Sequence, residues 1–200
     1  DRFAEDHLRM LRAVRFATRL GFAIDPATAA AITEHAARIA RISPERIREE
    51  LLKMFERPTR GDSLEQIARL GLLPHLWAGS SWPAERIARA VAVLRLLPPA
   101  ADFVLAMAGL LHDDRPAEAR RVGHALRCSG DQIDHLAWLV AHRERIEHAA
   151  AMSLADFKKL LAHPRFEDLV TLHEAVCAAA GRPTAACADA RRRRDAISPA

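Results

Sequence analysis

Two hundred residues, half of them apolar and 28% charged, with only 8 Gly and 11 Pro, exclude a disordered, collagenous or low-complexity chain. No apolar run approaches the roughly 20 residues of a membrane span, and Cys128, Cys177 and Cys187 contain no CxxC pair and are too few for a disulfide framework. A soluble protein of a reduced, cytoplasmic compartment is therefore expected. Thirty basic against 26 acidic residues leave a formal charge of +4, and only Lys53, Lys158 and Lys159 of the thirty are not Arg. The planar guanidinium suits phosphates and bases, so the excess fits an anionic partner such as RNA, although GC-rich coding produces the same bias.

In chain order nearly every segment reads as helix. The chain opens Asp1-Arg2-Phe3, without an initiator Met or a signal-peptide pattern, and reads as part of a longer protein. Glu5 to Leu20 carries a periodic apolar face, and Gly21 follows as a stop. Phe3, Leu8, Leu11 and Phe16 are expected to form one core with the next two helices. Asp25-Pro26 supplies a cap and first-turn Pro for a helix to about Ala40, and Ser43-Pro44 does so for one to about Glu56. Residues 58–62 read as a loop, with Ser63-x-x-Gln66 as a capping box for a short helix ended by Gly71. Gly79-Ser-Ser-Trp-Pro83 is the clearest internal break, dividing a neck region (1–78) from a helical body (79–200). Further helices are expected near 84–97, 100–112, 117–128, 130–148, 154–163 and 165–180, with a weakly patterned, frayed end around Arg191–Arg194. The class is all-α, an elongated bundle of about nine to ten helices.

The first helix carries the chemistry. Asp6 and Arg9 are three apart and project from one face, with Arg12, Arg15 and Arg19 as a basic stripe on much the same side. A carboxylate accepts and a guanidinium donates. Adenine and cytosine present an amino donor beside a ring-nitrogen acceptor, and guanine and uracil the reverse order. An open Asp/Arg pair can thus select A and C. Taken on spacing alone, an ordinary i,i+3 ion pair on a solvated helix is the favoured reading.

The run Arg2-Phe3-x-Glu5-Asp6-x-x-Arg9-x-x-Arg12-Ala13-x-Arg15-Phe16-Ala17, then Arg19-Leu20-Gly21-Phe22-x-Ile24-Asp25 and Ile42-Ser43-x-Glu45-Arg46-Ile47-x-x-Glu50-Leu51, resembles bacterial tRNA nucleotidyltransferases and poly(A) polymerases, the CCA-adding enzymes and their class II relatives. The likeness extends through Gly71-Leu72-Leu73-Pro74. It implies that Glu5-Asp6-x-x-Arg9 is the EDxxR motif of the neck, where Asp6 and Arg9 read the Watson–Crick edge of incoming CTP or ATP, Glu5 supports them and Arg12 adjoins. It further implies a tRNA or other RNA 3′ end as partner. Catalysis would fall to an N-terminal head domain, whose carboxylates hold Mg²⁺ for two-metal phosphoryl transfer. No Asp-x-Asp stands near a Gly-Ser in this chain, so no catalytic residue and no cofactor of its own are expected here.

Leu110-Leu111-His112-Asp113-Asp114 resembles the HD signature of metal-dependent phosphohydrolases, with His75, His124, Asp134, His135 and His142 as possible companions of a weak metal site at His112 and Asp113. The plainer reading is a helix end at which Asp113 or Asp114 caps the next turn. Trp77, Trp82 and Trp138 suit base stacking or, at helical spacing, the core. A non-enzymatic helical RNA-binding module is the remaining alternative.

Overall fold

The computed structural model describes residues 6–77 and 79–197; Phe3 and Glu5 lie outside the described residues. Among those described the chain is all-α, with twelve α-helices, two 3-10 segments and no strand. The two helices beyond the expected number are Leu73–Leu76 and Ala185–Ile197.

Helix α1 (Leu8–Leu20) buries Leu8, Met10, Leu11 and Val14, and Gly21, in a left-handed conformation (φ 69°), returns its N–H to the Ala17 carbonyl. Phe16 is not core: its side chain is 43% exposed. It lies two residues, about 200° of helix rotation, past the buried Val14, and the Arg15 guanidinium lies 4.2 Å over its ring. Helix α2 (Pro26–His35) starts on the Asp25 carboxylate, which accepts from the Thr28 N–H at 3.1 Å. It tightens into a 3-10 segment over Ala36–Arg41 before α3 (Pro44–Phe55). Ser43 precedes α3 without a side-chain cap.

Helix α4 (Arg60–Arg69) begins inside the stretch read as a loop. Ser63 is therefore no cap; it is buried within the helix, and its hydroxyl lies 3.0 Å from the Thr18 hydroxyl of α1. The short α5 (Leu73–Leu76) leads to the buried Trp77. Helix α6 (Ala84–Leu96) then crosses α4 so closely that a Cβ on Gly61 would fall 2.5 Å from Arg95 Cγ and 3.1 Å from the Val91 carbonyl. Beside this crossing the Arg60 guanidinium, 1% exposed, donates to four carbonyls, those of Phe55 (2.8 Å), Leu97 (3.1 Å), Pro98 (3.0 Å) and Pro99 (3.1 Å). Desolvation pushes its pKa down, but an Arg stays charged inside proteins.

Helix α7 (Phe103–Leu110) is buried at all eight positions, after an Asp102 cap. Helix α8 (Pro116–Ala125) packs on α9 (Gly130–His142), which carries a Ser129/Gln132 capping box; α10 (Leu154–Leu161) and α11 (Phe166–Ala179) follow, and α9 and α11 pack against α7. The expected helix over 130–148 becomes 3-10 from Arg143 to His148. The stretch around Arg191–Arg194, expected to fray, is helical. Helix α12 (Ala185–Ile197) buries Cys187 and Ala190, and Arg191 and Arg194 bind the Glu167 carboxylate of α11 at 2.8 and 2.6 Å. Its buried face is small residues only, which is why the apolar pattern was weak. One apolar cluster runs from Leu8 to Ala190.

Candidate functional site

Asp6 stands just before α1. One carboxylate oxygen accepts the Leu8 N–H (3.1 Å), satisfying a donor that the helix start leaves open. The other accepts Arg46 Nη2 of α3 at 2.9 Å. Partial burial works against the charge, but the Leu8 N–H, the Arg46 hydrogen bond and the charges of Arg46 and Arg9 outweigh it and hold the Asp6 carboxyl below its ordinary range. Asp6 is thus an ionised acceptor pinned from two sides, with Arg9 beside it on the first turn. Each oxygen of a carboxylate can accept more than one hydrogen bond, so these two bonds leave it acceptor capacity. Nothing in the sequence pattern assigned a role to Arg46, although it lies forty residues away within the same resemblance.

The basic stripe is not continuous. Arg12 and Arg19 are exposed, whereas Arg15 is withdrawn into a 2.7 Å pair with the buried Glu50, whose other oxygen lies 3.3 Å from Lys53 Nζ. Next to this pair a cleft of about 320 Å³ opens between α1 and α3, lined by Arg15, Arg19, Leu52, Lys53, Glu56 and Arg57. Its positive lining suits an anion such as a phosphate backbone.

The histidine-rich reading resolves differently. His112 is buried, with Nδ1 2.8 Å from the Gly109 carbonyl and Nε2 3.3 Å from Asp113. Desolvation pushes its pKa down. Neither Asp113 nor Asp114 caps the following helix: Asp113 binds Arg89 at 2.8 Å, and Asp114 pairs with Arg86. Of the candidate companions, Asp134 pairs with Arg120 (2.5 Å) and His142 with the Trp138 carbonyl (2.8 Å); His135 Nε2 lies 3.4 Å from Asp168 without a hydrogen bond, His75 is half-buried and His124 exposed. Among the described residues, the grouping with metal-ligand spacing is Glu147, His173 and Cys177 instead.

The tryptophans face the protein. Trp77 is core, its indole N–H donating to Ser80 (3.1 Å); Arg86 lies 4.0 Å over Trp82; and His163 stacks on Trp138 at 3.6 Å. Among the described residues no helix is long and apolar enough to cross a membrane.

Residues 21–78 match a family model described as "Probable RNA and SrmB- binding site of polymerase A". The CCA-adding enzyme of a Geobacillus species is 45% identical over 75 residues, 38% of this chain and 19% of that protein. The CCA-adding enzyme of Bacillus licheniformis is 34% identical over 163 residues, 81% of this chain and 41% of that protein. The CC-adding tRNA nucleotidyltransferase of Geobacter sulfurreducens is 37% identical over 89 residues, 44% of this chain and 21% of that protein. The chain thus spans well under half the length of the relatives it matches. The RNA-binding-site match, beginning at the end of α1, and the alignment over four-fifths of the chain support a partial region of a member of the CCA-adding enzyme and poly(A) polymerase family.

Proposed function

We propose that this chain is the neck and body of a tRNA CCA-adding or poly(A)-adding nucleotidyltransferase. It selects the incoming ATP or CTP through Asp6 and Arg9, and holds the RNA 3′ end against its basic surfaces. Phosphoryl transfer would fall to a head domain of the parent protein, whose carboxylates would hold Mg²⁺ to supply charge stabilisation for the transfer. The observation that carries the reading is the pinned Asp6: an ionised carboxylate beside Arg9, fixed by Leu8 N–H and Arg46. Such an acceptor is already oriented before a base arrives, so it loses little on binding. Asp6 would accept from the exocyclic amino group of C or A, and Arg9 would donate to the adjacent ring nitrogen. Guanine and uracil would set a carbonyl against the carboxylate, leaving two acceptors facing each other. Glu5 would support the start of the helix, and Arg12, exposed one turn on, would adjoin the site.

RNA would be gripped by the cleft between α1 and α3 and by the exposed Arg38 and Arg41 beyond it. The relatives' names and the RNA-binding-site model support this partner. The test is made in the parent enzyme with its head. Asp6→Ala and Arg9→Ala should each lower discrimination against UTP and GTP by roughly 1–3 kcal/mol, the value of a good bidentate base contact, with a smaller fall in turnover of the correct nucleotides. Unchanged kcat/KM ratios across the four triphosphates would overturn the base-reading role.

A further inference from the structure

The cluster of Glu147, His173 and Cys177 lies far along the chain from Asp6 and takes no part in the function proposed above. His173 and Cys177 are four apart on α11 and so share one helical face; Glu147 comes from the 3-10 segment packed against it. His173 Nε2 is 3.3 Å from Cys177 Sγ and 3.2 Å from Glu147 Oε2, and all three ligand atoms lie within 4.8 Å of one another. A tetrahedral site with metal–nitrogen and metal–oxygen bonds of about 2.0–2.1 Å places such ligand atoms about 3.3 Å apart, and nitrogen and sulfur about 3.5 Å apart. The His173–Cys177 and His173–Glu147 distances match these spacings to within a few tenths of an ångström.

We propose that Glu147, His173 and Cys177 form a zinc site with three protein ligands. Imidazole, thiolate and carboxylate together suit a borderline-soft divalent ion better than Mg²⁺ or Ca²⁺, which take oxygen ligands. A thiolate and a carboxylate supply two negative charges, matching a divalent cation. On binding, the S–H bond of Cys177 gives way to a sulfur–zinc bond and the proton passes to solvent. His173 also lines a cleft of about 330 Å³ together with Arg89, Arg143 and Arg182, from which water or an anionic oxygen would supply the fourth ligand. Arg182 Nη1, 3.5 Å from Glu147 Oε2, holds the carboxylate from outside the ligand set.

Cobalt(II), a spectroscopic stand-in for zinc, tests the site in the reduced, chelator-stripped chain. One equivalent should produce a thiolate-to-cobalt charge-transfer band and tetrahedral d–d bands, and zinc should displace both. Cys177→Ser should abolish the charge-transfer band, while Cys128→Ser and Cys187→Ser retain it. Glu147→Gln, at an exposed carboxylate that leaves the core intact, should weaken zinc by more than the about 10–100-fold that loss of an outer-sphere partner costs. It should also remove the zinc-dependent rise in Tm with unchanged far-ultraviolet circular dichroism. A wild-type chain without the thiolate band, a band that survives Cys177→Ser, or unweakened zinc binding by Glu147→Gln would each overturn the proposal. The Glu147→Gln arm decides the question if Cys177→Ser fails to fold.

Discussion

Arginine does different work at the two ends of the molecule. In the first 57 residues, Arg12, Arg19, Arg38, Arg41 and Arg57 stand exposed, and the α1/α3 cleft collects two of them with Lys53. Beyond residue 140 most guanidiniums are answered by carboxylates: Arg143 by Glu144, Arg165 by Asp102 and Asp168, Arg182 by Glu147, and Arg191 and Arg194 by Glu167. One composition thus serves an outward-facing positive surface in one region and helix-to-helix fastening in the other. A net charge computed over the whole chain averages these uses and hides both. Between the two ends sits Arg60, buried and bound only to main-chain carbonyls.

That contrast can be broken most sharply at Arg60. Arg60→Ala strands the carbonyls of the buried Phe55 and Leu97, besides losing the bonds to those of the exposed Pro98 and Pro99, and should cost about 3 kcal/mol or more, read as a fall in the urea midpoint. No exposed arginine of the first 57 residues should approach that loss. Within α1, Leu11→Ala should cost about 2–5 kcal/mol as a core truncation, whereas Phe16→Ala, at an exposed ring, should cost under about 1 kcal/mol. Denaturant melts of the two single mutants measure both, and equal costs would mean that α1 is oriented otherwise.

Acid sharpens the comparison next. Glu118 is held at about 2 against an ordinary 4.5, chiefly by Arg121, with Ser80 assisting. Its folded pKa is depressed, so its contribution to stability is complete above about 4.5 and is lost as pH falls toward about 2. Glu118→Gln should flatten the pH dependence of stability across that window, measured by chemical denaturation at successive pH values. The smallest effects belong to the exposed cations. Arg19→Ala and Arg57→Ala should each lower the salt slope of RNA binding by about 0.7–0.9, while Arg194→Ala, already neutralised by Glu167 and Asp195, should leave it unchanged. A filter-binding series at several salt concentrations distinguishes them.

Much of this architecture was legible from local chemistry. Asp25-Pro26, Ser129-x-x-Gln132 and Ser153 before Asp156 all cap helices as their spacing indicates, through bonds confined to three or four residues. Ser63 carried the same local signal and failed, because its hydroxyl is claimed by Thr18, 45 residues earlier, after α4 has already started at Arg60. Phe16 failed for a related reason: an aromatic side chain suggests core, but the buried arc of α1 is fixed by its neighbours in space. Of the candidate nucleotide site, Asp6 and Arg9 were visible as a spaced pair, while the Arg46 that pins Asp6 is contributed by another helix. Glu147 was equally invisible beside His173 and Cys177, although the His-x-x-x-Cys spacing on one helix was there to be seen.

The Arg60 contacts carry a consequence for how this chain can vary over time. All four acceptors are peptide carbonyls, which every amino acid offers alike. Residues 97–99 can therefore be exchanged in descendants without removing an acceptor, provided the backbone path is kept, whereas position 60 has no equivalent substitute: Lys offers one point charge where four directed bonds are made. An alignment of close homologues should show an unchanging Arg60 facing a drifting segment, a one-sided pattern in which no covarying partner betrays the contact.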